Sequence, residues 1–355
     1  KTKLKVLYHI PYPKTVYAGR FIYEGYKAAF KKSGHVFETL TSNHNLSVVL
    51  DRFKPNIFMS SLHIYYLKDL NLELLKKYRK NGLFYLNIIP AWNKHSEQYG
   101  VDDLKSNTKL VRLISSGLAG DAFYNWLEED SEFMDGFEKV TKKPFHTILL
   151  AADTSKYFYD YDKKYKSDIS YVGHYLKEKR DFFIRNIFPL QRKHLVKLYG
   201  LDWTFKDRLL GDMQRVGQFF NIEMLKGLRQ LPMTIDRKVY SSSIINLNIH
   251  GDFQVKYGSD INERTYKILA SGGFQICDNV KVLRKYFNKN ELVIGENDKD
   301  YLEKIEYYLK YPNKRDVIIR NGQKKVLKYH TYTNRMQQII DIYKQYISGN
   351  LSKFI

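Results

Sequence analysis

A chain of 355 residues with 43% hydrophobic and 15% aromatic side chains is longer than one core usually supports, so it predicts two globular domains and excludes a disordered or fibrous chain. Its one cysteine, Cys277, excludes a disulfide scaffold and a Cys-based metal site. Lys and Arg outnumber Asp and Glu by 59 to 38, a net charge of +21 that excludes an acidic chain and attracts a polyanion or an anionic membrane surface, although short groups such as Lys163-Lys164-Tyr165-Lys166 equally fit solvated turns.

Leu4 to Ile10 reads as a buried first strand stopped by Pro11 and Pro13. Phe21, Ile22, Gly25, Tyr26, Ala29 and Phe30 then recur at helical spacing up to Ser33-Gly34. Strands follow at 36–40, 56–62 and 83–89, with a helix over 72–80 closed by Asn81-Gly82. A strand is expected at 110–115, a helix at about 121–129, and an apolar segment at 146–151. The charged aromatic stretch Asp153 to Asp168 reads as a linker. Strand-type residues return at 169–172, 195–199, 244–249, 273–277 and 292–294. Helices over 300–311 and 314–328 are split by Pro312-Asn313, and a last helix runs from about 334 to 347.

Strand alternating with helix predicts an α/β fold of two doubly wound, Rossmann-like domains facing a cleft. The expected boundaries are 1–152, a linker at 153–168, and a second domain at 169–333. The last helix carries an apolar stripe, Met336, Ile339, Ile340 and Tyr343, at i, i+3, i+4 and i+7, so residues 334–355 need a surface to cover. No run of about 18 apolar residues predicts a transmembrane span, and no export signal is read, which points to a cytoplasmic chain that is peripheral if it meets a membrane.

Chemistry concentrates between Ile244 and Asp278. A strand ends at Asn248-Ile249-His250, a helix begins near Asn262-Glu263-Arg264, and Ser271-Gly272-Gly273 turns into the next strand. Ligands of open parallel sheets sit beyond the carboxyl ends of the strands, where a helix N-terminus offers free N–H groups to phosphate. Arg264 has the donor fork for a diphosphate, Asn248 and His250 suit sugar or phosphate oxygens, Glu263 suits hydroxyls, and Gly272-Gly273 allows a close backbone approach. Composition alone leaves equally open an ordinary capped helix and helix stop. No G-x-G-x-x-G or P-loop follows the first strand, which argues against a dinucleotide oxidoreductase or a P-loop NTPase.

His146 to Asp153 leading into Ile169-Ser170-Tyr171-Val172-Gly173-His174, the run Asn262 to Asp278, and Asn321-Gly322-Gln323 through His330-Thr331-Tyr332-Thr333-Asn334-Arg335 together resemble the C-terminal domain of bacterial group 1 glycosyltransferases, most of all the spore-maturation CgeB-like branch. The resemblance implies a GT-B fold. It implies transfer from a nucleotide-diphosphate sugar, UDP-sugar foremost, to a hydroxyl of a glycan, protein or polymer, without a metal or other cofactor. It puts Gly173 and His174 at the domain's opening turn, Lys179 or Arg180 as the cation facing the diphosphate, and the last helix back on the first domain. Lys267 stands where the family has a carboxylate for the ribose, and Glu263, four residues earlier, is the candidate substitute. Asp160-Tyr161-Asp162 spells the metal-holding motif of GT-A enzymes but reads as linker charge.

The N-terminal domain is then the acceptor side. Its strand-end candidates are His9, Arg20, His63, Trp92 and His95, with His63 foremost as a general base beside His250 and Glu263. Each also reads as structural. Two other functions stay open: a nucleotide-sugar-binding or regulatory protein that has lost transfer, and a DNA-modifying glycosyltransferase that uses the basic surface.

Overall fold

The computed structural model describes residues 3–14, 18–94, 103–220, 222–226, 228–229 and 235–349. Lys5–His9 (β1), Val36–Leu40 (β2), Ile57–Ser61 (β3), Phe84–Ile88 (β4), Ala122–Asn125 (β5) and Phe145–Thr147 (β6) form one sheet in the order β2-β1-β3-β4-β5-β6. A second sheet contains Ser167–Val172 (β7), Val196–Tyr199 (β8), Ser243–Asn248 (β9), Gln275–Cys277 (β10) and Val293–Ile294 (β11), in the order β11-β10-β9-β7-β8. Neighbouring strands pair in parallel throughout. Counted from its own first strand, the second sheet repeats the order of the first. Chain direction across each sheet therefore reverses once, between β1 and β3 and between β7 and β9, and such switch points open a crevice at the carboxyl ends of the strands.

The strands read as near-continuous apolar runs because helices cover both faces. All of β3 and all of β5 are buried. One unit comprises Lys1–Leu149, Val216–Lys226 and Thr333–Ile355, and the other Leu150–Arg215 and Gly227–Tyr332. The first has a core around Leu7, Leu50, Phe58 and Tyr85, and the second around Ile169, Tyr171, Phe183, Leu247 and Ile276. Burying each such side chain contributes about 1.5–3 kcal/mol against the chain entropy.

Helical periodicity transferred well where it was long. The helices Asp298–Lys310 and Pro312–Tyr329 differ from expectation only at their ends, where Asn297 caps the first and Pro312 starts the second. Two short elements are exchanged. The expected strand at 110–115 is the helix Thr108–Ser115, which Asn107 caps by accepting from Leu110 N–H and which buries Leu110 and Ile114 at i and i+4. The expected helix at 121–129 is strand β5, whose Phe123 and Tyr124 are consumed by pairing with β4 and β6.

In the last helix, Tyr332–Ile347, the stripe Met336, Ile339, Ile340 and Tyr343 is buried. Within the first unit, Arg335 Nε donates to the Leu149 carbonyl at 2.8 Å, and Tyr343 and Tyr346 pack on Phe84 at centroid distances of 5.9 and 4.7 Å. The stretch read as a linker is integral to the second unit, where a bridge pairs Ala152 with Thr331. Among the described residues, no helix is long and apolar enough to cross a membrane.

Candidate functional site

The second sheet's switch point gathers cations. Gly173 and His174 follow β7, while Ile249 and His250 follow β9. Lys179, in a short 3-10 turn, is 8% exposed, and its ammonium donates to the Ile249 carbonyl at 2.8 Å. Arg264, in the first turn of the helix Glu263–Ala270, donates to that same carbonyl at 3.2 Å and to Asn248 Oδ1 at 3.3 Å, and lies over the Tyr171 ring at 4.8 Å. Burial works against the Arg264 charge, but Tyr171, Tyr240 and Asp278 outweigh it and raise its pKa. A Cβ on Gly173 would collide with the Arg264 guanidinium and the Tyr171 hydroxyl, so glycine here makes room for the cation.

Among the described residues no carboxylate lies within ion-pair distance of Lys179. A buried cation whose protein partner is a neutral carbonyl is costly unless an anion joins it.

His250 completes the edge. Its backbone N–H donates to Asp278 Oδ2 at 2.7 Å, and its Nδ1 lies 2.5 Å from Asp278 Oδ1. The carboxylate places the proton on Nδ1 and leaves a buried Nε2 without a partner. His174 sits 3.9 Å from Asp202. Its pKa is lowered by burial, with Asp202 opposing and Arg229, Arg264 and Lys179 assisting. Arg229 is held by Asp202 at 2.8 Å. Arg180 rests over the Tyr175 ring at 5.4 Å, with its Nε buried and unpartnered.

Several candidates prove to be scaffold. Asn248 spends its amide on Thr265, Gln275 and Cys277, and its oxygen on Asn262 and Arg264. Asn262 is the N-cap, accepting from Thr265 N–H at 3.1 Å. Gly272 and Gly273 lie at the other end of their helix, before β10, and therefore at the opposite edge of the sheet from Arg264. Their N–H groups close the helix on Leu269 and Ile268, and a Cβ on Gly273 would press on the Tyr240 carbonyl at 2.7 Å. Glu263 is also unavailable as a ribose ligand. It is 7% exposed, paired with Lys267 at 2.7 Å, and accepts from the Tyr332 hydroxyl at 2.8 Å, while burial raises its pKa. Asp160 and Asp162 are taken by Arg237 at 2.6 Å and Lys238 at 3.0 Å. Among the described residues no group of three or more His, Cys, Asp or Glu could hold a metal ion.

The first sheet's switch point holds histidines and a carboxylate where the second holds cations. His9 is fully buried, with Nδ1 at 2.9 Å from Ser60 Oγ and Nε2 at 3.7 Å from Asp69, and burial lowers its pKa against the opposing Asp69. His63 caps the short helix Ile64–Leu67, its Nδ1 accepting from Tyr65 N–H at 3.3 Å. Burial lowers its pKa too, so the ring is neutral with its single lone pair in use, and taking a proton from an acceptor requires that cap to open. Trp92 is core, edge-on to Phe137 at 5.2 Å, and Arg20 lies in the first helix, Ala18–Lys32. His95 lies outside the described residues.

Asp278 and Arg229 escaped the sequence reading. For Asp278 a signal existed: Cys277 is in register with Asn248, so the residues that follow those strand ends are neighbours.

Residues 180–341 match the family described as glycosyl transferase-like. No curated protein sequence matches the chain. Among solved structures the chain is similar to sucrose-phosphate synthase from Thermosynechococcus elongatus, with TM-score 0.63 and 10% identity over 98% of this chain and 100% of that one. It is similar to an alpha-glucosyltransferase in complex with UDP and DNA containing an HMU base, with TM-score 0.61 and 11% identity over 97% and 100%. Anabaena HepE in complex with UDP-glucose gives TM-score 0.59 and 10% identity over 96% and 100%. At such identities the likeness is one of fold: two parallel α/β sheets of the GT-B kind.

Proposed function

We propose that this chain is a hexosyl-type glycosyltransferase of the CgeB-like branch that takes a UDP-sugar on its second unit and passes the sugar to an acceptor hydroxyl without a metal. The observation that carries this reading is the pair Lys179 and Arg264, drawn together on the Ile249 carbonyl at a switch point where, among the described residues, no carboxylate lies within ion-pair distance of Lys179. That is a site short of an anion, and a diphosphate supplies it. UDP and UDP-glucose in the alpha-glucosyltransferase and HepE structures support the choice of nucleotide.

In the transfer, the bond from the anomeric carbon to the diphosphate breaks and one to the acceptor oxygen forms. Lys179 and Arg264 stabilise the charge that accumulates on the departing diphosphate, and the acceptor proton leaves to a base. In this reading His250 meets the donor through Nε2, while the first unit's switch point, around His9 and His63, supplies the acceptor side. Working without a metal, the chain acts in the cytoplasm or at its membrane face.

The test is UDP titration by calorimetry with Arg264→Ala. Loss of a charge-assisted contact should weaken binding roughly 10- to 100-fold, with the melting temperature little changed and the affinity unaltered by EDTA. Affinity equal to wild type, or a strict need for a divalent ion, overturns the reading. Hydrolysis of UDP-sugar by the wild-type protein separates a transferase from a binding protein that has lost transfer.

A further inference from the structure

The Asp-Tyr-Asp segment that the donor site leaves unused is held firmly in an exposed position. Asp160 pairs with Arg237, whose Nη1 also donates to the Lys156 carbonyl at 3.0 Å, and Asp162 pairs with Lys238. The backbone N–H groups of Asp160 and Asp162 donate to the Ser241 and Ser242 hydroxyls at 2.9 and 2.8 Å. Tyr157 is buried, its hydroxyl donating to Asp236 at 2.8 Å.

On this anchored backbone Phe158, Tyr159 and Tyr161 are 45%, 62% and 50% exposed, with the Arg237 guanidinium over the Phe158 ring at 4.2 Å. Lys163, Lys164 and Lys166 are exposed beside them, and among the described residues no carboxylate lies within ion-pair distance of any of the three. A flexible charged linker would hide its aromatics or leave them mobile. An ordered one that presents three rings beside uncompensated lysines is a surface prepared for a ligand.

We propose that this face binds an anionic carbohydrate polymer. Tyr159 and Tyr161 are two positions apart in non-helical chain, offering apolar ring faces to successive sugar rings and hydroxyls to their oxygens. The lysines meet the polymer's carboxylates or phosphates as mobile point charges, which suits a flexible chain better than the fixed fork of arginine. The segment precedes β7 and adjoins the entries to β9 and β10, so it lies at the sheet edge opposite Lys179 and Arg264, roughly 20 Å away along a six-residue strand. It therefore grips a polymer remote from the reacting end. Choosing a carbohydrate over another polyanion rests on the proposed glycosyl transfer.

Fluorescence anisotropy with labelled polygalacturonate, a ribitol-phosphate polymer, neutral dextran and oligothymidylate tests the proposal, alongside UDP calorimetry. One or both anionic carbohydrates should bind with an affinity that falls steeply with salt, and which of them binds identifies the anion. The double variant Tyr159→Ala/Tyr161→Ala, which leaves the charge unchanged, should lose roughly three- to tenfold in affinity while UDP binding stays at wild type. Failure to bind either anionic carbohydrate at low salt, unchanged affinity in the tyrosine variant, or tighter binding of dextran or oligothymidylate overturns it. Absence of UDP binding by the wild-type protein would instead overturn the donor reading, a result the polymer titration does not share.

Discussion

The two sheets have the same strand order and place their crevices at equivalent points, each with a buried histidine beside a carboxylate, yet the cations gather at the second. At the first switch point His9 meets Ser60 through Nδ1, its buried Nε2 lies 3.7 Å from the Asp69 carboxylate without a hydrogen bond, and His63 caps a helix. At the second, two cations, Lys179 and Arg264, share the Ile249 carbonyl, and among the described residues no carboxylate lies within ion-pair distance of Lys179. Strand order decides where a ligand can sit, and unbalanced charge decides which ligand. That contrast is the ground on which the second unit is proposed as the donor side despite the shared architecture.

The largest expected effect belongs to the first unit, where histidines are kept neutral. Burial pushes the His146 ring down to about 4, against an unfolded value of 6.5. Between those values the unfolded chain binds more protons than the folded one, so this stability is present above pH 6.5 and is lost as pH falls towards 4, by up to about 3 kcal/mol. Urea melts of wild type and His146→Gln at pH 7 and pH 5 check it: the wild type should lose more on acidification, and equal losses break the contrast.

Next in size is Lys179→Met. Removing a buried cation without a carboxylate partner should cost UDP affinity about 2 kcal/mol while leaving the ligand-free melting temperature unchanged or higher. Calorimetry and thermal melts together read both signs. A melting temperature that falls with the affinity would show Lys179 to be scaffold, as Glu263 and Asn248 are.

The smallest effect sharpens the account of the first switch point. His63→Asn keeps a good N-cap and should hold stability and turnover, whereas His63→Ala should lose about 1 kcal/mol of stability with little further change in turnover. Turnover abolished in the Asn variant at unaltered stability would make His63 the base after all.

Much of the fold was legible. The long helices near the C-terminus and the buried strands announce themselves because a 3.6-residue apolar period, or an unbroken apolar run, has one stable reading. Residues 108–125 were misread because eight residues of mixed pattern do not distinguish a capped helix from a strand. Asn107 as a cap, and the demand of β4 and β6 for a partner strand, settled it.

The candidate site was legible in the helix that carries it, but not in which of its polar groups the fold uses up. Arg264 could be named from its place at a helix N-terminus beyond a strand end, whereas Lys179 or Arg180 came only from the resemblance to group 1 glycosyltransferases. That Gly272-Gly273 faces the wrong edge, that Glu263 is spent on Lys267 and Tyr332, and that Asp278 orients His250 depend on partners 69 residues away or on adjacent strands. Local pattern thus determined the elements and their alternation, since hydrophobic period and capping act within a few residues. Which polar groups remained without a partner was decided by tertiary structure alone, because satisfaction of a buried hydrogen bond or charge is a property of everything that surrounds it.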